Sequence, residues 1–314
     1  MFFSTQMLAA LVAALPLSAA MPQELSSSRS CASEPSADIL KAHARIAAGE
    51  PSTMAKVASG KLGLMEAVGI KLSASRKEAA LADDAPMKFD TYFHIIQSAA
   101  GTSKDVGYVT AEQIANQMTV LNDAYAPMNI GFNFVNTTYH VNKKWANTRY
   151  PGSAMEGEIK GKTRHGGRLA LNLYYIPTWD GSGVCNFPDD IGPDDKNLHK
   201  DGCMQSTDSF PDGTDDHRGF LTVHEVGHWL GLLHTFQGGC NEEGGDFVAD
   251  TPAEKGPNWS SYGCVERDSC PLLPGLDPIE NHMDYSHESC KTGFTSGQGT
   301  RAREMALLYR YADN

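Results

Sequence analysis

The chain lacks an apolar run long enough to cross a bilayer, which takes about 20 residues. Its longest, residues 7–17 (MLAALVAALPL), spans 11 and is followed by Ser18, Ala19 and Ala20. That pattern reads as a secretory signal peptide over residues 1–20, although no Lys or Arg precedes the run, and it leaves no membrane anchor. A basic excess is missing too: 26 Lys and Arg face 38 Asp and Glu, for a net charge of -12. The imbalance is uneven, because the first 87 residues hold eight of each sign while residues 180–216 carry ten Asp against two Lys. Such a surface repels phosphate backbones, which disfavours nucleic acid as a partner. Residues 21–86 contain no Trp, Tyr or Phe. A stretch without large apolar side chains buries little core of its own and reads as a propeptide ending near Pro86. Cysteine is scarce outside one region, since six of seven fall between Cys185 and Cys290 and Cys31 stands alone upstream.

The remainder, residues 87–314, has the patterning of one mixed catalytic-sized domain. Phe89, Thr91, Phe93 and Ile95 alternate as in a strand, as do Ile130, Phe132 and Phe134, and again Leu169, Leu171, Leu173 and Tyr175. Thr110 and Gln113 form a capping box ahead of a helix whose Ile114, Met118, Leu121 and Tyr125 share one side, ended by Pro127. Further helices are expected over residues 219–230 and 300–311, with a Cys, Gly and Pro-rich stretch between them. A secreted chain would oxidise its clustered cysteines in pairs, and six cysteines allow 15 pairings. Two sequons, at Asn136 and Asn258, are compatible with the secretory route.

The segment His224-Glu-Val-Gly-His228-Trp-Leu-Gly-Leu-Leu-His234 carries the chemistry. Residues four apart stack on one helix face, so His224 and His228 can aim at one ion with Glu225 beside it. His234 cannot reach that ion from the same straight helix. Gly231 supplies the turn, because glycine takes the left-handed conformation that ends a helix. Three nitrogens with a fourth position open mark a catalytic zinc site. The ion would activate water for attack on a peptide carbonyl, with Glu225 as general base and proton donor to the leaving amine.

This extended motif, followed 49 residues after His234 by Asn281-His-Met283-Asp-Tyr285-Ser, resembles the metzincin metalloproteases. Together with Gly239-Cys240, GDFVADTP over residues 245–252 and FTSGQGTRARE over 294–304, it is similar to the pappalysin (cytophagalysin) family, and within it to the secreted extracellular metalloproteases of filamentous fungi. The resemblance implies an α+β metzincin catalytic domain with a twisted mixed sheet, an active-site helix and a Cys-rich C-terminal subdomain. It implies Met283 beneath the zinc, Tyr285 stabilising the transition state, and residues 169–176 as the rim strand on which a peptide substrate lies. It also implies a calcium loop using Asp246, Asp250 and Thr251, and the disulfides Cys240–Cys270 and Cys264–Cys290, which leaves Cys185–Cys203. Departures from the family are His282, where an aromatic is commoner, and the segment His287-Glu-Ser289 near the expected S1′ pocket.

Arg29-Ser-Cys31-Ala-Ser-Glu-Pro resembles the latency element of metzincin propeptides, with Ala32 for glycine. A thiolate in the fourth position would silence the ion. The whole reads as a secreted, monomeric zinc endopeptidase acting on protein and peptide substrates. The competing reading is a secreted binding or adhesion module in which zinc only stabilises the fold, and Glu225 argues against it, because a structural site has no use for a carboxylate beside an open position.

Overall fold

The computed structural model describes residues 33–48, 85–149, 151–179, 183–192, 195–240 and 245–311. The signal segment and Cys31 lie outside the described residues. A helix α1 (Ala37–Ala47) comes first, capped by the Ser36 hydroxyl. There follow β1 (Met87–Gln97), α2 (Ala111–Tyr125), β2 (Ile130–Val141), α3 (Lys143–Ala146), α4 (Ala154–Thr163), β3 (Ala170–Ile176), β4 (Gly183–Cys185), β5 (Cys203–Ser206), α5 (Phe220–Trp229) and α6 (Ser296–Tyr309).

The strands form one sheet in the order β2-β1-β3-β5-β4. All neighbours run parallel except β4, which pairs antiparallel with β5 through Gly183↔Gln205 and Cys185↔Cys203. Strand β3 is buried along its whole length, as its unbroken run ALNLYYI suggests for a strand covered on both faces. On one face Phe89, Phe93, Leu171 and Leu173 pack with Leu121 of α2 and with Val226 and Trp229 of α5. On the other, Trp145 and Ile159 cover Ile96, Tyr174 and Met204.

The expected capping box is present on α2, and Ile114, Met118, Leu121 and Tyr125 are buried. Phe134 departs from expectation: it is 52% exposed, on β2 at the end of the strand order, and the pairing of β1 with β2 slips just after it, skipping Val135. Helix α6 begins four residues before the expected start. Thr295 and Gln298 close a capping box there, which holds the first turn despite Gly297 and Gly299.

Helix α1 packs its buried side onto the rest of the described chain. Ile39 packs with Phe187, Leu233 and Met305. His43 is fully buried; one ring nitrogen lies 2.8 Å from the Gly231 carbonyl, and the Arg301 guanidinium donates to the other at 2.6 Å. The cysteines pair as Cys185–Cys203, Cys240–Cys270 and Cys264–Cys290. The first ties β4 to its neighbour strand, and the others staple the long connection between α5 and α6.

Candidate active site

Helix α5 starts at Gly219, whose left-handed backbone (φ 81°) leaves it without a side-chain cap of its own. Glu288, remote in sequence, fills that role by accepting from the N–H groups of Arg218 at 2.5 Å, Phe220 at 3.3 Å and Leu221 at 3.0 Å. A carboxylate also complements the positive end of the helix dipole. The helix ends at Gly231 (φ 90°), where the Leu232 N–H reaches back to the Gly227 carbonyl at 2.8 Å. A β-carbon on Gly231 would lie 2.8 Å from the Met305 side chain, so glycine is required by both conformation and space.

That turn brings His234 back to the helix face. Nε2 of His228 lies 3.2 Å from Nε2 of His224 and 3.0 Å from Nε2 of His234. Nδ1 of His224 sits 2.7 Å from the His282 carbonyl, and Nδ1 of His228 sits 2.8 Å from the Leu232 carbonyl. Those carbonyls accept a proton held on Nδ1, which turns the bare Nε2 lone pairs inward. Burial pushes all three imidazoles toward the neutral form, most strongly His224 and His234. Three neutral imidazoles converging through their Nε2 atoms suit a cation, and neutral imidazole is a common nitrogen ligand of zinc. Among the described residues this is the one cluster of three or more His, Cys, Asp or Glu with metal-ligand spacing.

The turn around Met283 lies directly under the helix. A β-carbon on Gly227 would collide with the Met283 sulfur, so both residues belong to one close contact. Asn281 accepts from the Met283 N–H at 2.9 Å, and Lys291 donates to the Asp284 carbonyl at 2.7 Å. The Tyr285 ring stands 4.9 Å from that of His234 and 5.7 Å from that of His224. His282 packs its ring against Phe220 and Phe294 and so does the packing work of an aromatic.

Glu225 is buried beside the triad. The Ser33 hydroxyl lies 3.3 Å from its Oε2, accepts from the Cys185 N–H at 2.9 Å and sits 3.1 Å from the Cys185 carbonyl. The rim expectation needs correction here. Residues 169–176 include β3, a central strand whose backbone groups are taken by β1 and β5, so it offers no edge to a peptide. Among the described residues the sheet edge beside Glu225 is β4, three residues long, and Ser33 occupies both polar backbone groups of its Cys185.

The expected calcium ligands Asp246, Asp250 and Thr251 all line one groove of about 610 Å³, together with Phe247 and Pro274. Asp246 Oδ2 and Thr251 Oγ1 are buried there, and the Thr251 side chain and Asp250 both act on the Asp246 carboxyl. Burial pushes the Asp246 carboxyl up to about 7. Asp250 also holds the start of α6, accepting from the Thr295 hydroxyl at 2.7 Å and the Gly297 N–H at 2.8 Å. The sequons divide: Asn136 is exposed on β2, whereas Asn258 is 1% exposed and its N–H is bound by Asp284. A glycan cannot be accommodated on a side chain enclosed in that way, so the expectation at Asn258 is corrected.

Comparison with known proteins identifies the family. The chain is 41% identical to extracellular metalloprotease 1 of Coccidioides posadasii over 76% of its own length and 84% of that protein. It is 43% identical to an extracellular metalloprotease of Neurospora crassa over 75% and 82%. The chain belongs to the pappalysin family of metzincin peptidases. The pappalysin family model, described as pregnancy-associated plasma protein-A of the M43 peptidases, matches residues 173–306. The fold agrees. Mature mirolysin of Tannerella forsythia superposes with a TM-score of 0.57 at 23% identity, covering 72% of this chain and 96% of that one. Its promirolysin gives 0.62 at 20% identity, covering 90% and 96%. As a pappalysin, the protein is an extracellular zinc metallopeptidase with protein substrates. Among its described residues no helix is long and apolar enough to cross a membrane.

Proposed function

We propose that this pappalysin is a secreted endopeptidase in which His224, His228 and His234 hold zinc and Glu225 is the general base. The observation that carries the reading is the buried Glu225 carboxylate set beside three imidazole nitrogens and beside β4, the edge strand among the described residues. When bound, zinc supplies the Lewis acidity that brings the pKa of water toward ~7 and polarises a peptide carbonyl. Strand β4 orients an extended substrate through backbone hydrogen bonds. Glu225 removes the proton of the attacking water at its carboxylate and delivers it to the leaving amine nitrogen. Tyr285, packed against the rings of His224 and His234, donates its hydroxyl to the developing oxyanion. Met283 fixes the floor.

Residues 1–20 then serve as signal peptide, 21–86 as propeptide and 87–314 as a monomeric catalytic domain. The position of Ser33 on Cys185 and Glu225 supports latency of the unprocessed chain, with Cys31, two residues earlier, as the thiolate that closes the fourth metal position. Asp246 and Thr251 offer buried oxygens to a structural calcium ion. Asn136 remains as the glycan acceptor.

The test is Glu225→Gln in the processed protein. Proteolysis of a mixed peptide library should fall by about 10² to 10⁴-fold, as loss of general-base catalysis implies, with zinc content unchanged. A variant that still cleaves peptides at the original rate overturns Glu225 as the general base, and a processed, unaltered protein that cleaves no peptide returns the chain to the adhesion-module reading.

A further inference from the structure

Gly183 is the first residue of β4, paired across the ladder with Gln205. Its backbone is not in the left-handed region, so no conformational demand selects glycine there. Glycine in a strand carries an entropic cost and packs nothing, and it is retained where another group must approach closely. That group is the general base. A β-carbon on Gly183 would lie 2.5 Å from Glu225 Oε1 and 2.6 Å from both its Cδ and Cγ. Contacts under about 3 Å between such atoms are repulsive, so both side chains cannot occupy these positions. The three nearest neighbours of the missing methyl all belong to the Glu225 side chain; none is backbone.

We propose that Gly183 is a positioning residue for catalysis: the bare strand edge leaves the space in which the Glu225 carboxylate stands beside the metal site and under the substrate strand. The other carboxylate oxygen, Oε2, faces Ser33, so the carboxylate is bounded on both sides by rim and leader. A methyl at position 183 displaces a flexible side chain and leaves the strand, the triad and the disulfide Cys185–Cys203 in place. The cost therefore falls on the chemistry and spares the fold.

This inference rests on the reading of Glu225 as general base, and the experiment separates the two. In the processed protein, Gly183→Ala is compared with the unaltered sequence for zinc content, thermal midpoint, kcat and KM, alone and combined with Glu225→Gln. The expected result is a fall in kcat of about 10 to 100-fold, part of the 10² to 10⁴-fold that general-base catalysis supplies, with KM and zinc content held. In the Glu225→Gln background the added methyl at position 183 should lower kcat no further. If Glu225→Gln retains full activity, the general-base reading fails. If Glu225→Gln is inactive but Gly183→Ala is as fast as the unaltered protein, or loses equally in both backgrounds, the positioning role fails. Should Gly183→Ala fold poorly, the pair Gly183→Ala/Glu225→Ala decides. With the carboxylate arm removed there is room for the methyl, so its thermal midpoint should match that of Glu225→Ala; a lower midpoint overturns the proposal.

Discussion

The guanidinium of Arg310 lies 3.3 Å above the centre of the Trp229 ring, and its Nε–H donates to the Trp229 carbonyl at 2.8 Å. This joins the end of the last helix to the end of the zinc helix, one residue beyond His228. The contact continues into Asp201, which is fully buried and takes both terminal nitrogens of Arg310 at 3.1 and 3.2 Å, the Trp229 indole N–H at 3.2 Å and Arg164 at 3.2 Å. Burial alone would raise the Asp201 carboxyl, but Arg310 and Arg164 overcome it and hold the group below its usual range.

Arg310→Met should therefore cost far more than a surface arginine would. It strands a buried Asp201 charge and breaks the stacking, and losing one partner of a buried pair costs about 3–5 kcal/mol. Chemical denaturation measures this. A loss below about 1 kcal/mol, the ordinary worth of a surface ion pair, would show that Arg164 and Trp229 suffice.

Glu288 caps the zinc helix from across the Met283 turn, so Glu288→Ala should lower stability by about 1–2 kcal/mol, the usual cost of a lost N-cap. Glu288→Gln retains an acceptor and should recover part of it. Equal stability of the Ala variant and the unaltered chain in thermal unfolding refutes the role.

His43 makes the docking of α1 pH-dependent. Burial first, and then Arg301, push its pKa from 6.5 down to about 3, with the Gly231 carbonyl opposing. Around it stand Arg301, the Phe247 ring, and beyond Arg301 the carboxylates of Glu304 and Asp246. The undocked helix binds the extra proton more readily. Docking is thus fully favoured above pH 6.5 and weakens as pH falls toward about 3, by roughly 20 to 30-fold between pH 7 and pH 5 for one proton. Hydrogen exchange of the α1 amides, corrected for intrinsic rates, should show this opening, and His43→Gln should flatten it. A pH-independent opening of the unaltered chain would contradict the assignment.

Calcium should raise the thermal midpoint, and the rise should depend on pH. The ion competes with a proton for Asp246, whose carboxyl burial holds at about 7. Stabilisation by calcium is therefore expected in full above pH 7 and lost below it, at a size set by ligand linkage, about 2.7 kcal/mol at 100 times Kd. Asp246→Asn should abolish it. A midpoint that calcium leaves unmoved at pH 8 excludes the site.

The sequence by itself determined the features that rest on local spacing. Positions 224, 228 and 234 converge because helical periodicity and a glycine turn dictate it, and Thr110 with Gln113 starts α2 because both cap partners lie within one turn. The patterns at Phe89 to Ile95 and at Ile130 to Phe132 predict strands for the same reason. Tertiary structure alone decided which of the described strands lies at the sheet edge. Residues 169–176 read as the rim, yet β3 lies between two neighbours, while the edge beside Glu225 is three residues whose pattern is too short to carry a period. It also decided that Asp250 serves α6, that Asn258 is enclosed, and that helix α1 finds its core on another surface. Gly183 against Glu225, Glu288 on the zinc helix and Arg310 on Asp201 join residues 42, 67 to 70 and 109 positions apart. Sequence periodicity reports neighbours within a turn or a pleat. Contacts at such separations arise only when the sheet order and the helix packing have brought distant segments together.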